Sequence, residues 1–172
     1  MVQKYLIKRY KNFKKQLYLN KDVSYDNQYA FIGAGNHSLN NLYPCIQHLG
    51  VPLKYICTEN ISNAKKMAAR FRGCTGTDKM SDVVNDQEVN AVFVCLPPLL
   101  HCETLKKLFS VSKHVFIEKP VCYSLKDLQN LISLQQNSIC IPGLQKRFCK
   151  INQLLKKKSS DTSSYHYRYL SG

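Results

Sequence analysis

Between residues 29 and 141, short apolar runs alternate with segments of helical period, and that order restricts a chain to few architectures. The runs fall at 29–32, 53–57, 91–96, 114–117 and 139–141, and a short third strand is expected at 73–77. Between the first two, Leu39, Leu42, Ile46 and Leu49 recur on one helical face. Ser62 stands where it can cap a helix through Phe71, with Ala64, Met67, Ala68 and Phe71 as its apolar face. Further helices are expected at 80–85, 99–111 and 125–135. Residues 91–96 are continuously apolar rather than alternating, as a parallel strand covered on both faces requires. The expected fold is α/β, a doubly wound, mostly parallel sheet of the Rossmann-like kind, and no internal repeat competes with it.

A length of 172 residues suits one domain with a proper core and is short for two. The formal net charge of +14 favours anionic partners, but the excess sits at the ends. Residues 1–28 carry seven Lys/Arg against Asp22 and Asp26, and residues 146–158 carry six with no acid. Leu6, Tyr10, Phe13 and Leu17 give 1–28 the pattern of a basic amphipathic helix and linker, able to lie on an anionic membrane or pack on its own domain. No RNA- or DNA-binding motif accompanies these lysines, so a specific nucleic-acid partner is not expected. The apolar run 91–100 holds two prolines and is far short of the roughly 20 residues of a bilayer span, so no transmembrane segment is expected. Eight cysteines never come closer than seven residues, which excludes Cys-x-x-Cys metal or redox spacing. Used as small hydrophobes, they fit free thiols in a cytoplasmic protein without a metal site.

Two stretches carry candidate chemistry. The run 29–32 ends in Gly33-Ala34-Gly35-Asn36-His37-Ser38 and then a helical face, the order a dinucleotide site needs. One glycine permits the tight turn, the next lets backbone approach a pyrophosphate, and the helix start offers N–H groups. Ser38 stands where a third glycine or alanine is usual. The run 53–57 ends about 20 residues beyond the turn, where an adenosine ribose is met. Glu59 pointing inward would favour NAD; Thr58 pointing inward, with Lys65 or Lys66 nearby, would allow NADP. The second stretch, Lys113-His114-Val115-Phe116-Ile117-Glu118-Lys119-Pro120, delivers an acid, a base and a proline to a strand's carboxyl end. The Lys119–Pro120 bond there is trans or cis.

Four motifs in order resemble the amino-terminal domain of the Gfo/Idh/MocA oxidoreductase family over residues 29–172. They are Phe31-Ile32-Gly33-Ala34-Gly35-Asn36, Leu96-Pro97-Pro98-Leu99-Leu100-His101, the 113–120 stretch, and Gly143-Leu144-Gln145-Lys146-Arg147-Phe148. Asn36 and the Gly-x-x-x-Arg-Phe segment look like the branch of two-part fused oxidoreductases. The resemblance implies that Gly33, Gly35, Asn36 and the adjoining His37 hold the pyrophosphate. It places Leu96, Pro97 and His101 beside the nicotinamide, with Glu118 and Lys119 completing the cofactor site. Lys119 would be the catalytic residue, positioning substrate and nicotinamide. His101 can equally be a helix-cap or core histidine, and Arg147 either contacts substrate or caps a helix. Thr58 falls where the family often has a ribose-binding aspartate, so NAD and NADP both remain open.

Family members continue into a second α/β domain with an Asp-x-x-x-His pair. Here residues 159–172 look like only its first strand, after a dinucleotide-binding domain at 29–158. The expectation is therefore the nucleotide-binding part of an NAD(P)-dependent oxidoreductase acting on the CH–OH group of a sugar, polyol or related compound, inactive on its own. A homo-oligomer is compatible with that reading. The alternative is a non-enzymatic nucleotide-sensing or partner-binding module on the same fold.

Overall fold

The computed structural model describes residues 28–158. The amphipathic segment expected at the amino terminus and the strand expected at 159–172 lie outside the described residues. Six strands form one sheet: β1 (Gln28–Ile32), β2 (Leu53–Cys57), β3 (Thr75–Thr77), β4 (Val89–Val94), β5 (His114–Ile117) and β6 (Cys140–Pro142). Every pairing is parallel and the order is β3-β2-β1-β4-β5-β6. The chain therefore winds outward from β1 in one direction, returns, and winds outward from β4 in the other, as expected of a doubly wound sheet.

The connecting helices are α1 (a π-helical turn, Ser38–Leu42, continued as α-helix over Tyr43–Leu49), α2 (Ile61–Ala68), α3 (Met80–Asn85), α4 (His101–Phe109) and α5 (Leu125–Gln135). Strand residues alternate faces, and β1 divides its side chains accordingly. Ala30 and Ile32 join Val83, Val92, Val94, Leu105, Leu108, Val115 and Ile117 in one core layer, while Phe31 joins Tyr43, Ile46, Leu53, Ile56 and Met67 in the other. Phe31 lies stacked on Tyr43 with ring centroids 4.2 Å apart. One compact unit ends at Pro142 and a second begins at Gly143, carrying a 3₁₀ turn (Gln145–Phe148) and α6 (Lys150–Lys158).

Local chemistry moves two expected features. The cap of α2 is Asn60, not Ser62: Asn60 is extended, and its side-chain oxygen accepts from the Asn63 N–H at 3.1 Å. The helix thus begins almost at the end of β2. On α1 the π turn adds a residue to the helical repeat, so Tyr43 and Ile46 are buried while Leu49 is exposed. None of the eight cysteines is in a disulfide. Among the described residues no helix is long and apolar enough to cross a membrane.

Candidate functional site

In an open α/β sheet, ligands bind outside the carboxyl ends of the strands where the winding reverses. Here that point lies between β1 and β4. A cleft of about 460 Å³ opens there. The β1–α1 turn lines it with Gly33, Ala34, Gly35, Asn36 and His37; the segment after β2 adds Thr58, Glu59 and Asn60, with Asn63 from the first turn of α2; the end of β4 adds Cys95, Leu96 and Pro97. Three chain segments far apart in sequence thus meet because their strands are neighbours.

The two glycines act differently. Gly33 has φ +106°, and a Cβ built there would lie 2.1 Å from the Cys95 carbonyl oxygen. Only glycine allows β1 and β4 to close at that level, where the Gly33 N–H donates to the Cys57 carbonyl at 2.9 Å. The Tyr43 hydroxyl donates to the Gly33 carbonyl at 3.0 Å, and burial pushes that phenol well above its usual range. A Cβ at Gly35, by contrast, would meet nothing within 4 Å. Gly35 therefore offers bare backbone to the cleft, beside the first helical N–H groups, which have no intrahelical acceptor. That open cradle fits a pyrophosphate. Ser38 is fully buried, and its hydroxyl donates to the Gly35 carbonyl at 2.9 Å. The serine therefore fills the position usual for a third glycine and also ties the turn to its helix. Burial raises the Cys95 thiol in the cleft wall above its ordinary value.

At the end of β2, the Thr58 hydroxyl donates to the Asn60 carbonyl at 2.9 Å, while the neighbouring Glu59 is exposed. Both line the cleft. At the end of β5, Glu118 is buried and faces His37 Nε2 at 3.2 Å, and Asn41 Nδ2 lies 3.2 Å from Nδ1 of the same ring. The pair joins the glycine turn to β5 across the intervening β4. Lys119 is exposed beside it, its N–H donating to Glu118 Oε2 at 3.3 Å, and the Lys119–Pro120 bond is cis.

His101 sits apart from the cleft. It is fully buried at the start of α4, with Nδ1 2.8 Å from the Pro120 carbonyl oxygen and Nε2 2.9 Å from that of Leu96. The ring faces the protein's own carbonyls, those of Pro120 and of Leu96, and Leu96 itself lines the cleft. The ring thereby ties the end of β4 to the segment that follows β5. Arg147 belongs to the second unit, where its guanidinium lies 4.8 Å from the Phe148 ring centroid. Tyr43, Asn60 and Asn63 support or line the site without having been singled out in the sequence. The asparagines had a signal, since a strand ending in Asx before a helix marks a cap. Among the described residues no group of three or more His, Cys, Asp or Glu could hold a metal.

Topology, glycine turn and cleft together define a dinucleotide-binding Rossmann domain. The model of the oxidoreductase family with an NAD-binding Rossmann fold, Gfo/Idh/MocA, matches residues 27–143, and the chain belongs to that family. Its cofactor is accordingly NAD or NADP. Similar curated proteins include 4-carboxy-2-hydroxymuconate-6-semialdehyde dehydrogenase of Sphingobium sp. (strain NBRC 103272 / SYK-6), 27% identical over 132 residues that cover 75% of this chain and 42% of that protein. Another is dTDP-3,4-didehydro-2,6-dideoxy-alpha-D-glucose 3-reductase of Saccharopolyspora spinosa, 30% identical over 79 residues, 46% of this chain and 24% of that one. Among solved structures, KijD10, a 3-ketoreductase from Actinomadura kijaniata in complex with TDP-benzene and NADP, superposes with a TM-score of 0.68 at 18% identity, covering 76% of this chain and 42% of that chain. An oxidoreductase from Bacillus cereus gives 0.66 at 25% identity, covering 76% and 39%. The chain spans less than half the length of each of these relatives.

Proposed function

We propose that the chain is the nucleotide-binding part of an NAD(P)-dependent oxidoreductase acting on a carbon that bears a hydroxyl group in a sugar, polyol or related compound. The observation that carries this reading is the cleft at the β1/β4 reversal, where Gly35 presents bare backbone to open space. When bound, the dinucleotide supplies the hydride chemistry, and the protein contributes binding, orientation and proton handling. Gly35, Asn36 and His37 would hold the pyrophosphate, Thr58 or Glu59 the adenosine ribose, and Leu96 and Pro97 the wall toward the nicotinamide. Lys119, exposed at the end of β5, would orient the reacting hydroxyl and hold or release its proton. Glu118, anchored through His37, fixes the strand end from which Lys119 projects.

The sugar assignment draws on the 3-reductase of S. spinosa, whose name specifies a dTDP-glucose derivative. Fluorescence titration of the chain with NADH and NADPH tests the reading. Saturable binding of at least one is expected, and a folded sample that binds neither overturns it.

A further inference from the structure

A second cleft, of about 390 Å³, adjoins the first, and Ala34 and Asn63 line both. It lies between the start of α1, at Asn40, and α2, which contributes Asn63, Lys66 and Met67, with Arg70 just past the carboxyl end of that helix. Asn63 and Lys66, three residues apart, share one face of α2, and Arg70 lines the same cleft from the turn that follows; Lys65 does not line it. Helical side chains lean toward the amino terminus of their own helix. Since α2 starts just beyond the carboxyl end of β2, Lys66 leans toward the ribose end of the main cleft, and Arg70 lines the same side cleft one turn further on.

The charges there are one-sided. Lys66 and Arg70 are exposed, and neither forms an ion pair among the described residues. No acid lines the side cleft. At the strand end itself stands Thr58, whose hydroxyl is engaged by the Asn60 carbonyl, and the acid of the main cleft, Glu59, is displaced one residue onto the exposed loop. An acid at the end of the second strand selects a ribose with free hydroxyls, whereas a nearby cation accommodates a 2′-phosphate.

We propose that Lys66 and Arg70 receive the 2′-phosphate of NADP, so that the chain prefers NADP to NAD. This inference rests on the dinucleotide reading above and deepens it. Equilibrium titrations with NADPH and NADH, on the full chain and on Lys66→Glu and Arg70→Glu, test it. NADPH is expected to bind roughly tenfold more tightly than NADH, in keeping with charge-assisted contacts to the extra phosphate. Each reversal should remove most of that ratio while leaving NADH affinity within about twofold, since surface changes away from the remaining contacts have small effects. On the unaltered chain, 2′,5′-ADP should displace NADPH at far lower concentration than 5′-ADP, a comparison that needs no variant. NADH binding as tightly as NADPH, a ratio unmoved by both reversals, or equal displacement by the two nucleotides overturns the inference and leaves the dinucleotide reading standing. Binding of neither cofactor overturns the dinucleotide reading and this inference with it.

Discussion

Gly33 and Gly35 stand two residues apart in one turn, yet an added methyl group meets different surroundings at each. At Gly33 it would sit 2.1 Å from a backbone carbonyl, on a residue with φ +106°. Gly33→Ala is therefore expected to cost roughly 3 kcal/mol or more, combining backbone strain with displacement of the β4 end, and to lower the thermal midpoint. At Gly35 the methyl group meets open space, so Gly35→Ala should keep its midpoint and lose dinucleotide affinity by about tenfold or more. Parallel thermal and fluorescence measurements separate the two, and equal loss of stability in both variants would refute the division. Lys119 gives a third contrast. Its side chain is exposed, so Lys119→Ala should leave unfolding and cofactor affinity nearly unchanged while abolishing turnover in an assembly supplied with the substrate-binding portion. Full turnover there would remove Lys119 from the catalytic role.

At the scale of elements, α2 shows how a helix start fixes a site. Asn60 caps the helix while its carbonyl holds the Thr58 hydroxyl, so one residue sets both the helix start and the ribose end of the cleft. Asn60→Ala should cost about 1 kcal/mol, read as a lower denaturant midpoint at unchanged slope. A midpoint equal to that of the parent chain would mean the cap carries no weight. Five of the six strands were legible in the sequence because a parallel sheet covered on both faces demands apolar runs such as 91–96, and β3, Thr75–Thr77, only from its place between two helical segments. The glycine turn was legible because few side chains fit it. The cap was not, because Ser62 and Asn60 have the same chemistry and only the length of the β2–α2 connection chooses between them. Tyr43 escaped notice because a regular 3.6-residue repeat does not anticipate a π turn. His101 drew a functional expectation from its motif, and its burial depends on the β4 and β5 loops closing over it, a long-range outcome absent from local pattern.

For the whole molecule, the end of the sheet opposite the cleft sets the response to acid. Asp86, following α3, accepts from Lys54 Nζ on β2 at 2.6 Å and from the Glu88 N–H at 2.9 Å, while its backbone carbonyl accepts from Lys113 Nζ, at the start of β5, at 2.5 Å. One residue thus joins the approaches to β2, β4 and β5. The hydrogen bond from Lys54 is the main reason that the Asp86 carboxyl lies below its ordinary value. For a depressed carboxylate the stabilisation is complete above the unfolded-state value, about 4, and is lost as pH falls through the folded-state value. Acid also adds positive charge to a chain already at +14, so self-repulsion acts in the same direction. The two contributions separate by salt and substitution. Salt at 0.15 M, with a screening length of about 8 Å, weakens the long-range repulsion more than the half-buried Asp86–Lys54 contact. Asp86→Asn keeps the shape but removes the titrating group. The expected outcome is a thermal midpoint that falls below about pH 4 in the parent chain even in salt, and falls less steeply in Asp86→Asn. If the two acid limbs have the same slope in salt, Asp86 does not govern acid stability, and repulsion among the remaining charges does.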